Sequence, residues 1–333
     1  MIIVTGAAGF IGSATVWKLN QMGRRDLVLV DDLLKEEKWR NLLGKSYEHL
    51  YGVNEFRTLI EENSSFMKSA SAVIHMGACS STTERDGDFL RRNNIDDSKM
   101  LWNFCERKGI PYIYASSAAT YGLGETGYSD EDSVTPSLRP INAYGWSKQV
   151  VDEWALTRNS TPPFWAGLKF FNVYGPNEYH KGSMKSLVCK AVPQINESGK
   201  LKLFRSHKDG VDDGEQKRDF VYVKDVVDVI WHLLESSFSG RADVLSGIYN
   251  IGTGQARSFA DLGRATFAAL ERETQFDWID MPESIRHQYQ YFTEADMTKL
   301  RRDAKYDSPF YSLEEGVSDY VKNYLAEDLP SYL

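Results

Sequence analysis

The stretch Ala143-Tyr144-Gly145-Trp146-Ser147-Lys148 sets a phenol and an ammonium four residues apart, at the opening of a segment that reads as a helix from Tyr144 to about Thr157. Side chains at i and i+4 of a helix lie on one face, one above the other. A tyrosine is ordinarily a poor base, because its pKa is about 10, but a cation held beside it favours the phenolate. Such a pair is a candidate acid/base for work near neutral pH. An isolated Y-x-x-x-K equally describes a packing tyrosine next to a solvated lysine, so the surrounding elements must decide.

The elements upstream form a dinucleotide platform. Ile2-Ile3-Val4 reads as a β-branched strand that runs into Thr5-Gly6-Ala7-Ala8-Gly9-Phe10-Ile11-Gly12 and then a helix to about Met22. Strand, glycine turn and helix in that order are the context of a dinucleotide fingerprint, in which free N–H groups at the helix start face the pyrophosphate. Gly6 suits the tight turn, Gly9 the close backbone approach and Gly12 the helix packing. A second strand, Leu27–Val30, ends at Asp31-Asp32, where a carboxylate ordinarily holds ribose hydroxyls and favours NAD. Lys35, Lys38 and Arg40 come next, and a cation there suits the 2′-phosphate of NADP; a solvated charge cluster is the other reading.

A further strand, Ala72–His75, ends in Met76-Gly77-Ala78-Cys79-Ser80, small residues that permit close approach of the same ligand. The helix expected over about Arg85 to Lys108 turns Asn93 inward if Leu90, Met100 and Leu101 mark its buried face, and a cofactor would satisfy that amide. The stretch Pro111 to Gly122 reads as another strand with a carboxyl end rich in hydroxyls, and Ser117 there can donate to the substrate oxygen that Tyr144 addresses.

The bulk composition narrows the classes. At 333 residues, 42% hydrophobic and 26% charged, the chain has an ordinary globular composition with room for one large body or two lobes. Its net charge of -8 argues against nucleic acid or an anionic membrane as the main partner. Cys79, Cys105 and Cys189 are widely spaced, which suggests neither disulfides nor a zinc site, and the six histidines show no metal-ligand spacing; no metal is expected. The chain enters a strand at once, with no leader-like segment and no apolar run of the roughly 18 to 20 residues a membrane helix needs. A cytoplasmic enzyme is the expectation.

In the second half, Trp165–Phe171 reads as another sheet strand, ending at Asn172 and a Gly175-Pro176 turn. Beyond it lie shorter pieces: a helix near Ser183 to Asn196, a strand Leu201–Phe204, the acidic loop 208–216 and a strand Phe220–Val223. Arg218, just before that strand, can clamp a diphosphate through its planar fork or be a strand-edge charge. Tyr289 can reach a sugar or phosphate, or pack within the lobe. Helices near Val226 to Leu234, Ala260 to Leu270 and Leu313 to Leu325 and strands at Ile248–Ile251 and Phe276–Ile279 complete the reading.

Taken together, Thr5-Gly6-x-x-Gly9-Phe10-Ile11-Gly12, Ser116-Ser117-Ala118-x-x-Tyr121-Gly122, Tyr144-x-x-x-Lys148, Phe171-Asn172-Val173-Tyr174-Gly175-Pro176 and Arg218-Asp219-Phe220-Val221-Tyr222-Val223 resemble the extended short-chain dehydrogenase/reductase superfamily of sugar-nucleotide epimerases and dehydratases. The likeness covers nearly the whole chain. Three narrower stretches, Gly77 to Glu84, Glu178 to Met184 and Tyr289 to Asp296, are similar to the ADP-heptose 6-epimerase family within it.

The resemblance implies an α/β fold, a Rossmann-type doubly wound parallel sheet with a smaller mixed α/β substrate lobe. Residues 1–171 and about 218–255 would form the dinucleotide domain, and about 172–217 and 256–333 the sugar-nucleotide domain. It implies NADP, with NAD not excluded, an ADP-linked heptose as substrate and a homo-oligomer. Tyr144 and Lys181 would be the two acid/base groups, Lys148 would hold the nicotinamide ribose and Ser117 the reacting oxygen. For the cofactor it adds Phe10, Ile11, Val173 and Lys181 to the glycines, strand-end acids, Lys38, the 76–80 turn and Asn93. For the substrate it implies Asn172, Ser183, Phe204, Arg205, Arg218 and Tyr289.

The family pattern places Asn after the strand-end acid and a second lysine at 53 or 54, whereas this chain has Asp32 and Asn54; both changes weaken a 2′-phosphate site and leave Lys38 to favour NADP. Another sugar-nucleotide epimerase or a dehydratase is the alternative, although dehydratases of the superfamily commonly carry an acidic pair after the strand-end serine and Ser117-Ala118-Ala119 has none. A silent dinucleotide sensor would have no reason to keep Ser117, Tyr144 and Lys148 together.

Overall fold

The computed structural model describes residues 1–34, 37–62, 64–286, 289–326 and 330–333; Lys35, one of the cations after β2, lies outside them. In chain order the strands are β1 (Ile2–Thr5), β2 (Leu27–Val30), β3 (His49–Tyr51), β4 (Ala72–His75), β5 (Tyr112–Ser117), β6 (Trp165–Phe170), β7 (Asn172–Tyr174), β8 (Leu201–Phe204), β9 (Lys217–Tyr222), β10 (Gly247–Ile251), β11 (Ala256–Ser258) and β12 (Phe276–Ile279). Seven of them pair in the order β10-β6-β5-β4-β1-β2-β3, and every pairing in that sheet is parallel. Every residue of β1, β2 and β4 is buried. That explains why Ile2-Ile3-Val4 and Leu27-Val28-Leu29-Val30 are continuous apolar runs, for helices cover both faces of such a sheet.

The order reverses between β1 and β4, whose registers align Thr5 with His75. In a doubly wound sheet the crevice outside the carboxyl ends of the strands at that reversal is where ligands bind. Two small sheets complete the chain, β11-β9-β7 and β12-β8. Thus β10 returns to the main sheet beside β6, while β9 joins β7 and β11 outside it.

The helix expected over Arg85 to Lys108 has three parts: an α-turn Gly87–Leu90, a π-helical stretch Arg91–Asp96 and an α-helix Asp97–Lys108. A π turn inserts an extra residue and rotates the helix downstream of it. Its consequence is a correction: Asn94, not Asn93, faces inward. Asn94 is fully buried, accepts from the Cys79 N–H at 2.8 Å and donates to the Cys79 carbonyl at 3.0 Å and to Ser147 Oγ at 2.9 Å. Its amide thus needs no ligand to satisfy it. Among the described residues no helix is long and apolar enough to cross a membrane, and no cluster of three or more His, Cys, Asp or Glu is arranged for a metal ion.

Candidate active site

The carboxyl ends of the main-sheet strands open into a cleft of about 1550 Å³. On its β1 side the glycine turn is forced by geometry. Gly6 has φ +62°, and a Cβ there would lie 2.6 Å from the Gly77 nitrogen; one on Gly12 would lie 2.0 Å from the Gly6 carbonyl oxygen. The helix Phe10–Gln21 begins with Gly9 as its N-cap, with no side-chain cap and no acidic residue in the first turn. Gly9, Phe10, Ile11 and Gly12 all line the cleft, so the uncapped helix start faces it. An anion is the natural partner for those N–H groups and for the positive end of the helix dipole. The dinucleotide pyrophosphate fits that cradle.

At the far end of β2, Asp31 Oδ2 accepts from the Ala8 N–H at 2.8 Å and Oδ1 from Lys38 Nζ at 2.6 Å. Asp32 turns to the start of the helix Val53–Glu61, accepting from the Val53 N–H at 2.9 Å. Arg57, one turn into that helix, also lines the cleft, and it donates to Asn54, Asn93 and both oxygens of Asp97. Sequence reasoning passed over it because β3 is three residues long with no apolar run to announce it. The only signal was its spacing, three residues after the Asn54 that stands where a lysine was expected. Met76, Gly77, Ala78, Cys79, Ser80 and Asn93 line the same wall, Asn93 being held by Arg57 and by the Phe89 carbonyl.

The helix carrying the motif runs Ala143–Leu156, capped by Asn142, whose Oδ1 accepts from the Gly145 N–H at 2.8 Å. Ser117, Tyr144 and Lys148 meet in the cleft, from the end of β5 and the first turns of this helix. The expected depression of the phenol is not found. Burial pushes the Tyr144 pKa up, the hydrogen bond from Ser117 offsets part of this, and Lys148 does not contribute. The lysine instead donates to the Ala115 carbonyl of β5 at 2.8 Å, and burial lowers it to about 8, against the opposing pull of Asp152 and Cys79.

Asp152, one turn beyond Lys148, is fully buried and pins the floor of the site. It accepts from Tyr114 at 3.0 Å, Ser116 at 2.6 Å and Lys169 at 2.8 Å, and Lys169 reaches on to Thr120 Oγ1 at 2.7 Å. β5, β6 and the motif helix are thereby fixed to one another just beneath Ser117.

Lys181 enters from the loop after β7. Its ammonium sits 5.3 Å from the centre of the Phe10 ring, and burial lowers its pKa while Glu178 opposes that shift. Asn172, Val173, Phe204 and Tyr289 line the same cleft, as do Lys185, Lys190 and Lys202, which sequence reasoning did not single out. Helical spacing within Leu187–Ser198 was the available signal for Lys190. Ser183, Arg205 and Arg218 are not among the lining residues. Ser183 is exposed on a 3-10 turn, and its carbonyl accepts from Lys190. Arg205 pairs with Asp213, whose carboxylate also takes the Ser206 N–H, which gives that acid of the 208–216 loop a local role. Arg218 is buried behind the aromatic wall, 5.1 Å from the Tyr289 ring and 5.7 Å from that of Phe259.

A parallel sheet reversing at a glycine turn, with a serine, tyrosine and lysine converging beside it, defines a class of dinucleotide-dependent enzymes, and residues 2–252 match the NAD dependent epimerase/dehydratase family. The chain belongs to that family. Among its relatives, ADP-L-glycero-D-manno-heptose-6-epimerase of Fusobacterium nucleatum subsp. nucleatum is 53% identical over the full length of both chains. The protein of the same name from Nitratidesulfovibrio vulgaris (strain DP4) is 50% identical over 98% of each. Among solved structures, ADP-L-glycero-D-manno-heptose-6-epimerase of Helicobacter pylori superimposes with a TM-score of 0.77 at 26% identity, covering 97% of this chain and 95% of that one.

Proposed function

We propose that this protein interconverts ADP-D-glycero- and ADP-L-glycero-D-manno-heptose at C6″ through a transient ketone, supplying heptose for lipopolysaccharide core, and does so with tightly held NADP. The observation that carries the reading is a phenol and an ammonium, Tyr144 and Lys181, lining one cleft alongside the uncapped glycine turn. An epimerisation by oxidation and return needs two proton-transfer groups, because the oxygen is deprotonated on one side and reprotonated after the ketone has turned.

The nicotinamide, when bound, supplies a hydride acceptor and donor. Everything else falls to the chain. Gly6, Gly9 and Gly12 admit the pyrophosphate; Lys148 holds the adjacent ribose; Ser117 hydrogen-bonds the reacting oxygen and orients the phenol. For one epimer, one of Tyr144 and Lys181 accepts the C6″ hydroxyl proton and the other protonates the oxygen on the return; the opposite epimer uses them in reverse. One group ends protonated and the other deprotonated, and exchange with solvent resets the pair. A lysine lowered by burial and sitting near a developing alkoxide can both take a proton and stabilise charge.

NADP is favoured by two cations, Lys38 and Arg57, on the cleft wall beyond β2, and by Asp32 being engaged by the Val53 N–H at a helix start. Lys185, Lys190 and Lys202 suit the substrate diphosphate, and we assign the lobe that carries them, about 172–217 and 256–333, to the sugar nucleotide, leaving 1–171 and about 218–255 to the dinucleotide. The test is to incubate the purified protein with each 6″ epimer separately and without added dinucleotide. Both incubations are expected to reach the same mixture; no interconversion from either side would defeat the reading.

A further inference from the structure

The 3-10 turn Glu37–Leu42 carries two side chains that point to different tasks. Lys38 pairs with Asp31 at the ribose end of the cleft, whereas Asn41, three residues on, is 1% exposed and takes no part in the chemistry of the cleft. Its amide nitrogen donates to the Ala8 carbonyl inside the glycine turn at 2.9 Å and to the Asn177 carbonyl at 3.0 Å, and it lies 3.2 Å from His180 Nδ1. Ala8 precedes Gly9; Asn177 and His180 lie in the loop that delivers Lys181. One buried amide therefore ties the turn that receives the pyrophosphate to the loop that brings in the ammonium.

A second tie runs alongside. Asn177 is itself fully buried with φ +78°, a left-handed conformation that asparagine tolerates better than most residues. Its Nδ2 donates to Ser13 Oγ at 3.0 Å, and Ser13 Oγ donates to the Phe10 carbonyl at 3.1 Å. The loop is thus clipped to the glycine turn at Ala8 and at Ser13, on either side of Phe10, and Phe10 is the ring over which the Lys181 ammonium sits. The loop is also held by Glu178, which accepts from the Gly175 N–H and from Ser186, but its ties to the cofactor side of the cleft run through the dinucleotide-binding turn.

We propose that Asn41 is a positioning residue for Lys181: through its buried amide it fixes the Lys181 loop against the glycine turn, so that occupancy of the dinucleotide site and placement of the second proton-transfer group are set together. The inference rests on the acid/base role proposed for Lys181. Losing the amide leaves the Ala8 and Asn177 carbonyls without that donor, and a displacement of Lys181 on the order of 1 Å is enough to cost roughly 100-fold in rate.

The experiment is a double-mutant cycle on the full chain with its copurifying dinucleotide, using Asn41→Ala, Lys181→Met and the double variant. Turnover from each 6″ epimer, dinucleotide retained per chain and melting temperature are the readouts. Asn41→Ala is expected to lower turnover roughly 10- to 100-fold with dinucleotide retained, and to change the residual rate of the Lys181→Met protein less than about twofold, because residues acting as a unit are non-additive. Asn41→Leu, of similar volume without the amide donor or a new charge, is expected to behave alike and serves if the alanine variant does not fold. Equal fold losses in both backgrounds, or parental turnover in both Asn41 variants, would overturn the proposal. Parental turnover in Lys181→Met alone would instead remove the reading on which it stands.

Discussion

Replacing Asp152 by asparagine removes a charge from a fully buried ion pair. Asp152 and Lys169 are both 0% exposed and 2.8 Å apart. In the variant the Lys169 ammonium keeps Thr120 Oγ1 but loses its counter-charge, and Ser116 and Tyr114 lose an ionised acceptor. Stranding one member of a buried pair costs about 3 to 5 kcal/mol. For a chain of this size that corresponds to roughly 4 to 7 °C in melting temperature. The double variant Asp152→Asn with Lys169→Met removes the stranded charge and is expected to recover part of the loss.

A second effect is electrostatic. Asp152 is the largest contributor holding the Lys148 pKa up against burial, so without it Lys148 falls further below about 8. A smaller fraction of Lys148 is then charged at pH 8, and turnover on the alkaline side declines at a lower pH than in the parent. Thermal melts and pH profiles of turnover read the two effects separately. A melting temperature within about 2 °C of the parent, or a double variant no more stable than the single, would refute the reasoning.

Further outcomes are expected elsewhere. Lys38→Ala and Arg57→Ala should each weaken NADP relative to NAD by roughly tenfold, as loss of a charged hydrogen bond does, read as the ratio of dissociation constants. Burial raises Asp130 to about 7, against its hydrogen bond from the Asn250 N–H. The native state therefore holds a proton that the unfolded chain has released between about pH 4 and 7, and stability falls as pH rises through that window, by at most about 4 kcal/mol. Asp130→Asn should abolish that slope and melt above the parent at pH 8 while matching it near pH 4. Tyr144→Phe should lower turnover by orders of magnitude with the dinucleotide still bound, since only the phenolic oxygen is lost.

Much of the site was legible because its chemistry constrains local sequence. Gly6 and Gly12 have no room for a Cβ, and a helix start that faces a ligand carries no acidic residue in its first turn; both leave marks in the residue string. Tyr144 and Lys148 were legible because helical spacing alone puts them together. What escaped was set by non-local packing. A π turn at Arg91–Asp96, invisible in the apolar pattern, exchanged Asn93 for Asn94 on the buried face. The direction of the Tyr144 shift is set first by burial, which residue spacing does not report, and Lys148 is engaged by the Ala115 carbonyl of β5. Arg57 follows a three-residue strand that no apolar run announces, and Asn41 sits in a 3-10 turn with no periodicity to mark it. Arg218 reads as either a clamp or a strand-edge charge because an arginine before a strand says nothing of which face it takes, and here it is buried against the Tyr289 and Phe259 rings.

The central claim is that C6″ is oxidised by losing a hydride and reduced by the return of that same hydride, and isotope tracing tests it directly. ADP-heptose carrying deuterium at C6″, incubated with the purified protein in ordinary water, is expected to yield the opposite epimer with the deuterium still on C6″. Epimer formed with that deuterium replaced by solvent hydrogen would mean that the carbon loses a proton, and would contradict the account.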